Sequence, residues 1–405
     1  MLKARMRTTA GLVAALVSAA ALAPARPPAR GGARAAGPAA GDAAAPRPGS
    51  MKEALQRGAP PYGEGSRRYR RTVYTQEDWL KHRSSTRLFK TLGGTLTSGV
   101  VRSLLVEVGV VTGFALAIVM WNAVLFGYVD LANVVHPPPF GEIPGYLRLT
   151  LPALPFTLSS PALGLLLVFR TNSSYQRWLE ARVAWGRVVA STRNVLRQAS
   201  AWLDADVPSS DRARVLSALG TSAWAFCAAL RLRLSAADER PMIEDELAAG
   251  AGDLTICGGA AGAPLLSDAL LAATSPPLRA LRDLSERVVA LPMDEKRRVE
   301  MDKSLIVLGD CVETCERILS SPVPLVYTRH TARFLSAWLL LVPLALWEPF
   351  GASWNHLSMV PATALLAIFL FGIEELAVQL EEPFSILPLQ KLCDDVCGAA
   401  ADLVA

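Results

Sequence analysis

The sequence predicts an all-α membrane protein, with four transmembrane helices and a long helical, water-facing region between the second and the third. Three observations predict it. Hydrophobic residues fill 51% of 405 positions and charged ones 19%, with a mean hydropathy of +0.30, which is too apolar for a disordered chain. Four stretches of 14 to 25 residues contain no Asp, Glu, Lys or Arg. The chain between the second and third of these carries its charges at helical spacing, opposite apolar positions.

Each segment follows in order. Residues 1–50 read as a cleavable targeting segment, basic at its start, then small and apolar, then rich in Ala, Pro and Gly. A secretory signal and an organellar transit peptide both fit the residues, with a mature start expected between Ala23 and Ser66. This segment holds seven basic groups (Lys3, Arg5, Arg7, Arg26, Arg30, Arg34, Arg47) against Asp42, a net +6. The whole chain is only +5, so the remaining 355 residues sum to −1. That removes the case for a nucleic-acid partner, which a pI near 9.0 would otherwise invite. Residues 51–83 read as a basic polar arm, and 84–395 as the main domain with a short tail at 396–405.

The spans are expected at about 106–129, 149–169, 331–348 and 356–376. Val108 to Val129 is 22 residues without a charge, which as a helix crosses a hydrocarbon core. Leu149 to Phe169 carries Pro152, Pro155 and Pro161, so it is not expected to form one smooth helix. Phe334–Trp347 and Pro349–Ile373 pair through Pro349-Phe350-Gly351-Ala352-Ser353 as a helical hairpin. Basic residues before the first span (Arg67 to Lys90) and after the second (Arg170, Arg177, Arg182) place both termini and residues 170–333 on the cytosol- or stroma-facing side.

The helical region 170–330 opens with an amphipathic helix that continues from the second span. Trp178, Trp185, Val189, Thr192 and Leu196 share a stripe, with Arg177, Arg187 and Arg193 elsewhere on the wheel. A Gly/Ala-rich loop is expected at 248–264. Six cysteines are too few for a disulfide scaffold, and Cys311/Cys315 and Cys393/Cys397 stack at i,i+4 as structural thiols. The four histidines form no metal-spaced pair. No nucleophile, base and orienting group assemble into an enzyme site, so no enzyme, cofactor or metal is expected.

The second span is the candidate functional element. Pro155 can open a helix, and Pro161 frees the carbonyl of Thr157. Freed backbone groups at membrane depth need protein or water beside them. Leu154, Leu158, Ala162 and Leu165 then share one face, which either packs on neighbouring helices or lines a pore.

Two motifs resolve that choice by resemblance. Phe169-Arg170-Thr171-Asn172-Ser173-Ser174-Tyr175-Gln176-Arg177-Trp178-Leu179-Glu180-Ala181-Arg182, followed by Trp185-Gly186, resembles the signature after the neck helix of bestrophin-type anion channels. Glu381-Glu382-Pro383-Phe384 with Leu387-Pro388-Leu389 resembles the segment closing the last membrane helix in that family, above all in its bacterial, plant and algal branch. The resemblance covers roughly Ser84 to Asp395. It implies a funnel-shaped homopentamer with one central pore, conducting chloride and/or bicarbonate, in contact with membrane lipids. It places the neck at Leu154, Leu158 and Ala162, where relatives often carry Ile or Phe, so Ala162 implies a wider lower neck. Plant and algal members act in plastid membranes, which tips the leader towards a transit peptide and the location towards the thylakoid membrane. The alternative is a membrane scaffold that keeps the family fold without conducting.

Two further expectations concern charge. Arg170 is expected to pair with Glu180 or Glu374, and Glu374 and Glu375 to face inward rather than lipid. Animal bestrophins follow the Pro-Phe pair with acids that clasp calcium; here Ser385-Ile386-Leu387-Pro388-Leu389 stands there. Calcium takes six or more oxygen ligands, so opening by such a clasp is not expected.

Overall fold

The computed structural model describes residues 71–84, 99–130, 132–141, 143–204, 207–252 and 270–404. The expected targeting segment and its cleavage site, the expected arm before Arg71 and the part of the expected loop beyond Gly252 lie outside them. In chain order the helices are α1 (Gln76–His82), α2 (Gly99–Ser103), α3 (Leu105–Phe126), α4 (Leu154–Trp202), α5 (Ser209–Leu234) and α6 (Arg240–Gly252). They continue as α7 (Pro276–Val289), α8 (Glu295–Ser320), α9 (Leu325–Leu346), α10 (Met359–Glu381) and α11 (Leu389–Val404). The only strands among the described residues are β1 (Tyr128–Val129) and β2 (Val135–His136), paired antiparallel. The all-α expectation holds.

The chain divides into two compact units. One holds Gly99–Leu165 with Thr331–Gly372; the other holds Leu166–His330, Ile373–Ala405 and the described part of Gly65–Ser98. In the first unit, Ala115, Ile118 and Val119 of α3 pack with Leu344, Trp347 and Met359. Helix α3 stops at Phe126, short of the expected Val129. Gly127 turns the chain at φ +91, and a Cβ there would lie 2.5 Å from the His136 carbonyl oxygen, so only glycine fits.

The turn between α9 and α10 is longer than the expected Pro349–Ser353, because a 3-10 helix at Trp354–His356 extends it. Asn355 takes φ +47 there. Its amide accepts from the Val129 N–H (2.8 Å) and donates to the Val129 carbonyl (2.6 Å), which ties the turn to β1.

In the second unit α5 is the central helix. It packs against α6, α7, α8 and α11, and Phe226, Cys227, Ala229 and Leu230 are fully buried on it. This explains a difference from the expected spans. Among the described residues, four helical stretches are long and apolar enough to cross a membrane: α3, α4, α5 and Trp354–Glu381. Helix α9, expected as the third span, is absent from that set because Arg329 and Arg333 sit in its first half. Helix α5 enters it because it is core, not because it faces lipid: its Arg231 is buried and paired with Glu246 at 2.6 Å, and Ser217, Thr221 and Ser222 are buried beside it.

Two other boundaries move. Helix α6 runs on to Gly252, past the expected loop start at Ala248, since Ala248 and Ala249 prolong a helix rather than end it. Residues 396–404 are no loose tail, because α11 packs on α5 with Val396 and Ala400 buried. The described cysteines are all buried free thiols. Burial pushes Cys315 and Cys393 up to about 12, which keeps them protonated and inert, as structural thiols should be.

Helices α5 and α11 approach closely at Gly220, where a Cβ would lie 2.7 Å from the Ala400 Cβ. Gly220→Val should therefore cost about 1–3 kcal/mol through overpacking and lower the midpoint of thermal unfolding followed by tryptophan fluorescence. Gly220→Ala should be rescued by Ala400→Gly, which moves the methyl group across the same contact.

Candidate pore neck and the arginines behind the motif

The neck segment begins with an extended stretch, Leu149–Ala153, whose backbone groups need partners at membrane depth. Asn122, buried on α3, supplies two of them. Its side chain accepts from the Leu149 N–H (2.9 Å) and donates to the Leu149 carbonyl (3.2 Å). The Leu151 N–H donates to the Leu344 carbonyl at 2.9 Å. Sequence reasoning passed over Asn122, although it is the only side-chain amide in the uncharged run of α3.

Helix α4 then runs unbroken for 49 residues, which corrects the expectation that the prolines would interrupt the span. Pro152 lies before the helix and Pro155 in its first turn, where a missing N–H costs nothing. Pro161 is the only proline inside the helix, and the carbonyl it frees is that of Thr157. The Ser160 hydroxyl donates to that oxygen at 3.1 Å, so the lost bond is replaced one turn away. Ser159 accepts from the Trp338 indole N–H at 3.1 Å, and Phe156 meets the Trp338 ring edge-on at 5.8 Å. Helix α9 thereby grips the first two turns of α4.

Opposite that grip, the proposed neck positions are uncovered. Leu154 is 65% exposed and Leu158 70%, and Ala162 and Leu165 are exposed beside them. Among the described residues nothing covers this face.

The motif residues of the second unit fall into two groups. Arg170 is buried and its Nε lies 2.9 Å from Glu374, so of the two expected partners Glu374 is the one it takes. Glu180 pairs with Arg317 instead. Glu375 accepts from Gln379 at 2.6 Å.

Arg177 is not on a solvated face, as its place on the wheel suggests. Its Nη2 donates to the Ile318 carbonyl (2.7 Å), its Nη1 to Ser321 (2.5 Å) and its Nε to Glu381 (3.1 Å). Ile318 and Glu381 lie in the last turns of α8 and α10, whose carbonyls have no partner within their own helices, and Ser321 is the residue that caps α8. The Glu381 carboxylate also accepts from the Val323 N–H at 3.2 Å. Helical periodicity could not reveal this, because the partners lie more than 140 residues away.

Trp185 is fully buried and Trp178 packs against the same core, with Tyr175 stacked on Trp178 at 5.8 Å. Phe169 and Asn172 are exposed. After Glu382, Pro383 and Phe384 form a buried 3-10 turn. Arg71 of the arm reaches that turn, donating to the Ser385 carbonyl (2.9 Å) and pairing with Glu239 (2.9 Å).

Comparison with known proteins follows this geometry. Residues 78–401 match the family model described as bacterial/fungal bestrophin protein. Over 330 residues the chain is 33% identical to voltage-dependent chloride channel 1, chloroplastic, of Arabidopsis thaliana, covering 80% of this chain and 71% of the relative. Over 360 residues it is 31% identical to voltage-dependent chloride channel 2, chloroplastic, of the same plant, covering 87% and 78%. The crystal structure of a bacterial bestrophin homolog from Klebsiella pneumoniae has the same fold, with a TM-score of 0.58 at 21% identity over 75% of this chain and 99% of that one.

The buried pair gives a direct test. Arg170→Met leaves Glu374 without its countercharge and should cost about 3–5 kcal/mol, while the double variant Arg170→Met/Glu374→Leu should recover most of that loss. Thermal unfolding of the purified protein reads both. Equal losses in the single and double variants would show that the two charges are not coupled.

Proposed function

This chain belongs to the bestrophin family, and from that premise we propose that it is an anion channel rather than an enzyme. The observation that carries the reading is the exposed row Leu154, Leu158 and Ala162 on a proline-shaped helix. One chain offers only one wall, so the pore is completed by neighbouring copies, in the family's manner a pentamer. Helices α3, α4, α9 and α10 make the crossings. The names of the Arabidopsis relatives support a chloroplast membrane, and we assign the thylakoid.

The mechanism follows from the chemistry of the row. A ring of leucines holds no water when narrow and wets when it widens, so it gates by dewetting. It offers no fixed charge and no hydrogen bond, so it does not distinguish chloride from bicarbonate, and both pass. Positive potential comes from the amino-terminal turn of α4 at Pro155, where helix dipoles favour an anion. Ala162 leaves the third position wide, and the constriction rests on Leu154 and Leu158.

Planar-bilayer recording of the purified protein tests this. The wild type should carry anion current whose reversal potential follows the chloride gradient and shifts with bicarbonate. Ala162→Phe should lower conductance severalfold by adding a third constriction, and Leu158→Ala should raise it. A wild type without anion current, with Leu158→Ala also silent, would favour the non-conducting scaffold.

A further inference from the structure

Two of the four histidines stand on the two loops beside the start of the neck segment. His136 closes the hairpin of β1 and β2: its Nε2 lies 3.1 Å from an Asp130 carboxylate oxygen, and its ring stacks on Tyr128 at 4.8 Å. His356 closes the turn before α10: its Nδ1 lies 2.8 Å from the Trp347 carbonyl oxygen, and its ring stacks on Trp347 at 3.7 Å. An ionised carboxylate and a carbonyl only accept, so those nitrogens carry hydrogen and the other nitrogen of each ring is the one left to gain a proton. Both rings are half-buried, within reach of water.

The two loops form one assembly. Asn355 bonds both backbone groups of Val129, and the Trp354 indole N–H donates to the Asp130 carbonyl at 3.4 Å. Trp347 belongs to the cluster on which Leu149 and Leu151 pack, so through that ring the turn bears on the entry to α4. The turn is also strained. Asn355 and His356 take φ +47 and +57, two left-handed residues in a row without a glycine, and such backbone persists only where its surroundings hold it.

A second proton strengthens each of these contacts. Imidazolium gives Asp130 a full countercharge and makes each stack a cation over an electron-rich ring. Asp130 stays ionised to receive it, since the Val134 N–H above all, and then His136, hold its carboxyl below the usual carboxylate range. The other charged side chains described on these segments are Arg148 and Glu348. Both are exposed and form no salt bridge among the described residues, Arg148 lying over the Phe126 ring at 4.5 Å; Glu142 lies outside them. We propose that His136 and His356 are a proton-operated clasp on the mouth of the neck: acid tightens the hairpin and the turn, steadies Leu149–Ala153, and holds the leucine row in its narrow, dry state. With α3, α4, α9 and α10 as the crossings, both loops emerge on one membrane face, so acid acts from that face alone. The inference rests on the channel reading and names a regulation of its neck.

Single-channel recording tests it, with one chamber at a time taken from about pH 8 to about pH 5.5, across the range where imidazole gains its proton. Acid in one chamber should lower the open fraction about two- to fivefold, the factor that exposed contacts of this strength convert to, and acid in the other should not. His136→Gln/His356→Gln, whose side chains donate but cannot gain charge, should abolish the response, whereas His82→Gln/His330→Gln should keep it. Hydrogen exchange of the wild type, corrected for the pH dependence of the chemical step, should slow in acid over residues 128–136 and 347–358. A response retained in the first double variant, a response from either chamber, or exchange there that is indifferent to pH overturns the clasp and leaves the channel reading standing. A wild type without anion current at any pH overturns the channel reading and this regulation together.

Discussion

The guanidinium of Arg177 takes three main-chain carbonyls from two helix ends and a following residue, and the rest of the second unit is arranged around that requirement. The carbonyls of Ile318 and Glu381 belong to the last turns of α8 and α10, and Ser321 to the residue after α8. Helix carboxyl ends carry unsatisfied oxygens and a partial negative charge. A planar cation with fixed donors meets several at once, and charge-assisted bonds are about twice as strong as neutral ones. Lysine has the charge but not the fork. Because Glu381 closes α10 while its carboxylate takes the Val323 N–H, the start of α9 is held by the same few atoms. Arg170 and Glu374, two turns earlier on α4 and on α10, add a buried ion pair whose energetic value lies in staying intact. The motif is thus a set of fastenings for the helix that supplies the neck.

A second constraint concerns backbone groups where water is scarce. Three prolines in one span would ordinarily leave several polar atoms without partners, yet each is accommodated. Pro152 precedes the helix, Pro155 occupies its first turn and Pro161 is answered by the Ser160 hydroxyl. Asn122 serves the extended entry from the neighbouring helix. The polar side chains of this apolar span, Thr157, Ser159 and Ser160, all donate to the carbonyl three or four residues back. The hydroxyl hydrogens are thus spent on the helix's own carbonyls, which leaves the row of leucines as the apolar surface that controls wetting in the proposed neck.

The sequence made some of this legible and hid the rest for physical reasons. The start of α4 and the face shared by Leu154, Leu158 and Ala162 follow from proline chemistry and helical period, which are local. Trp185 and Leu196 were readable as core for the same reason. Arg177 was not, since an arginine on a helix wheel looks alike whether it meets water or distant carbonyls. Hydropathy was ambiguous at α5 and α9, because a helix buried in protein and a helix buried in lipid share a composition. The helix at 389–404 was legible at Cys393 and Cys397, four apart, but its continuation through residues 396–404 read as a tail, because three alanines there are small enough to approach α5 closely at Gly220.

Charge ties these strands together. Residues 51–405 sum to −1, so a long-range field of this part cannot make the protein attractive to anions. Arg170 is already held by Glu374 and Arg177 by carbonyls. Both are therefore committed to the fold rather than free to draw an ion. In the proposed channel the preference comes from the amino-terminal turn of α4, repeated by each copy around the axis, where the dipole acts within about one turn. Such a field is short in range and fixed by helix position. A movement of α4 that widens the leucine ring would also displace its dipoles, so opening and anion attraction are properties of one rigid element.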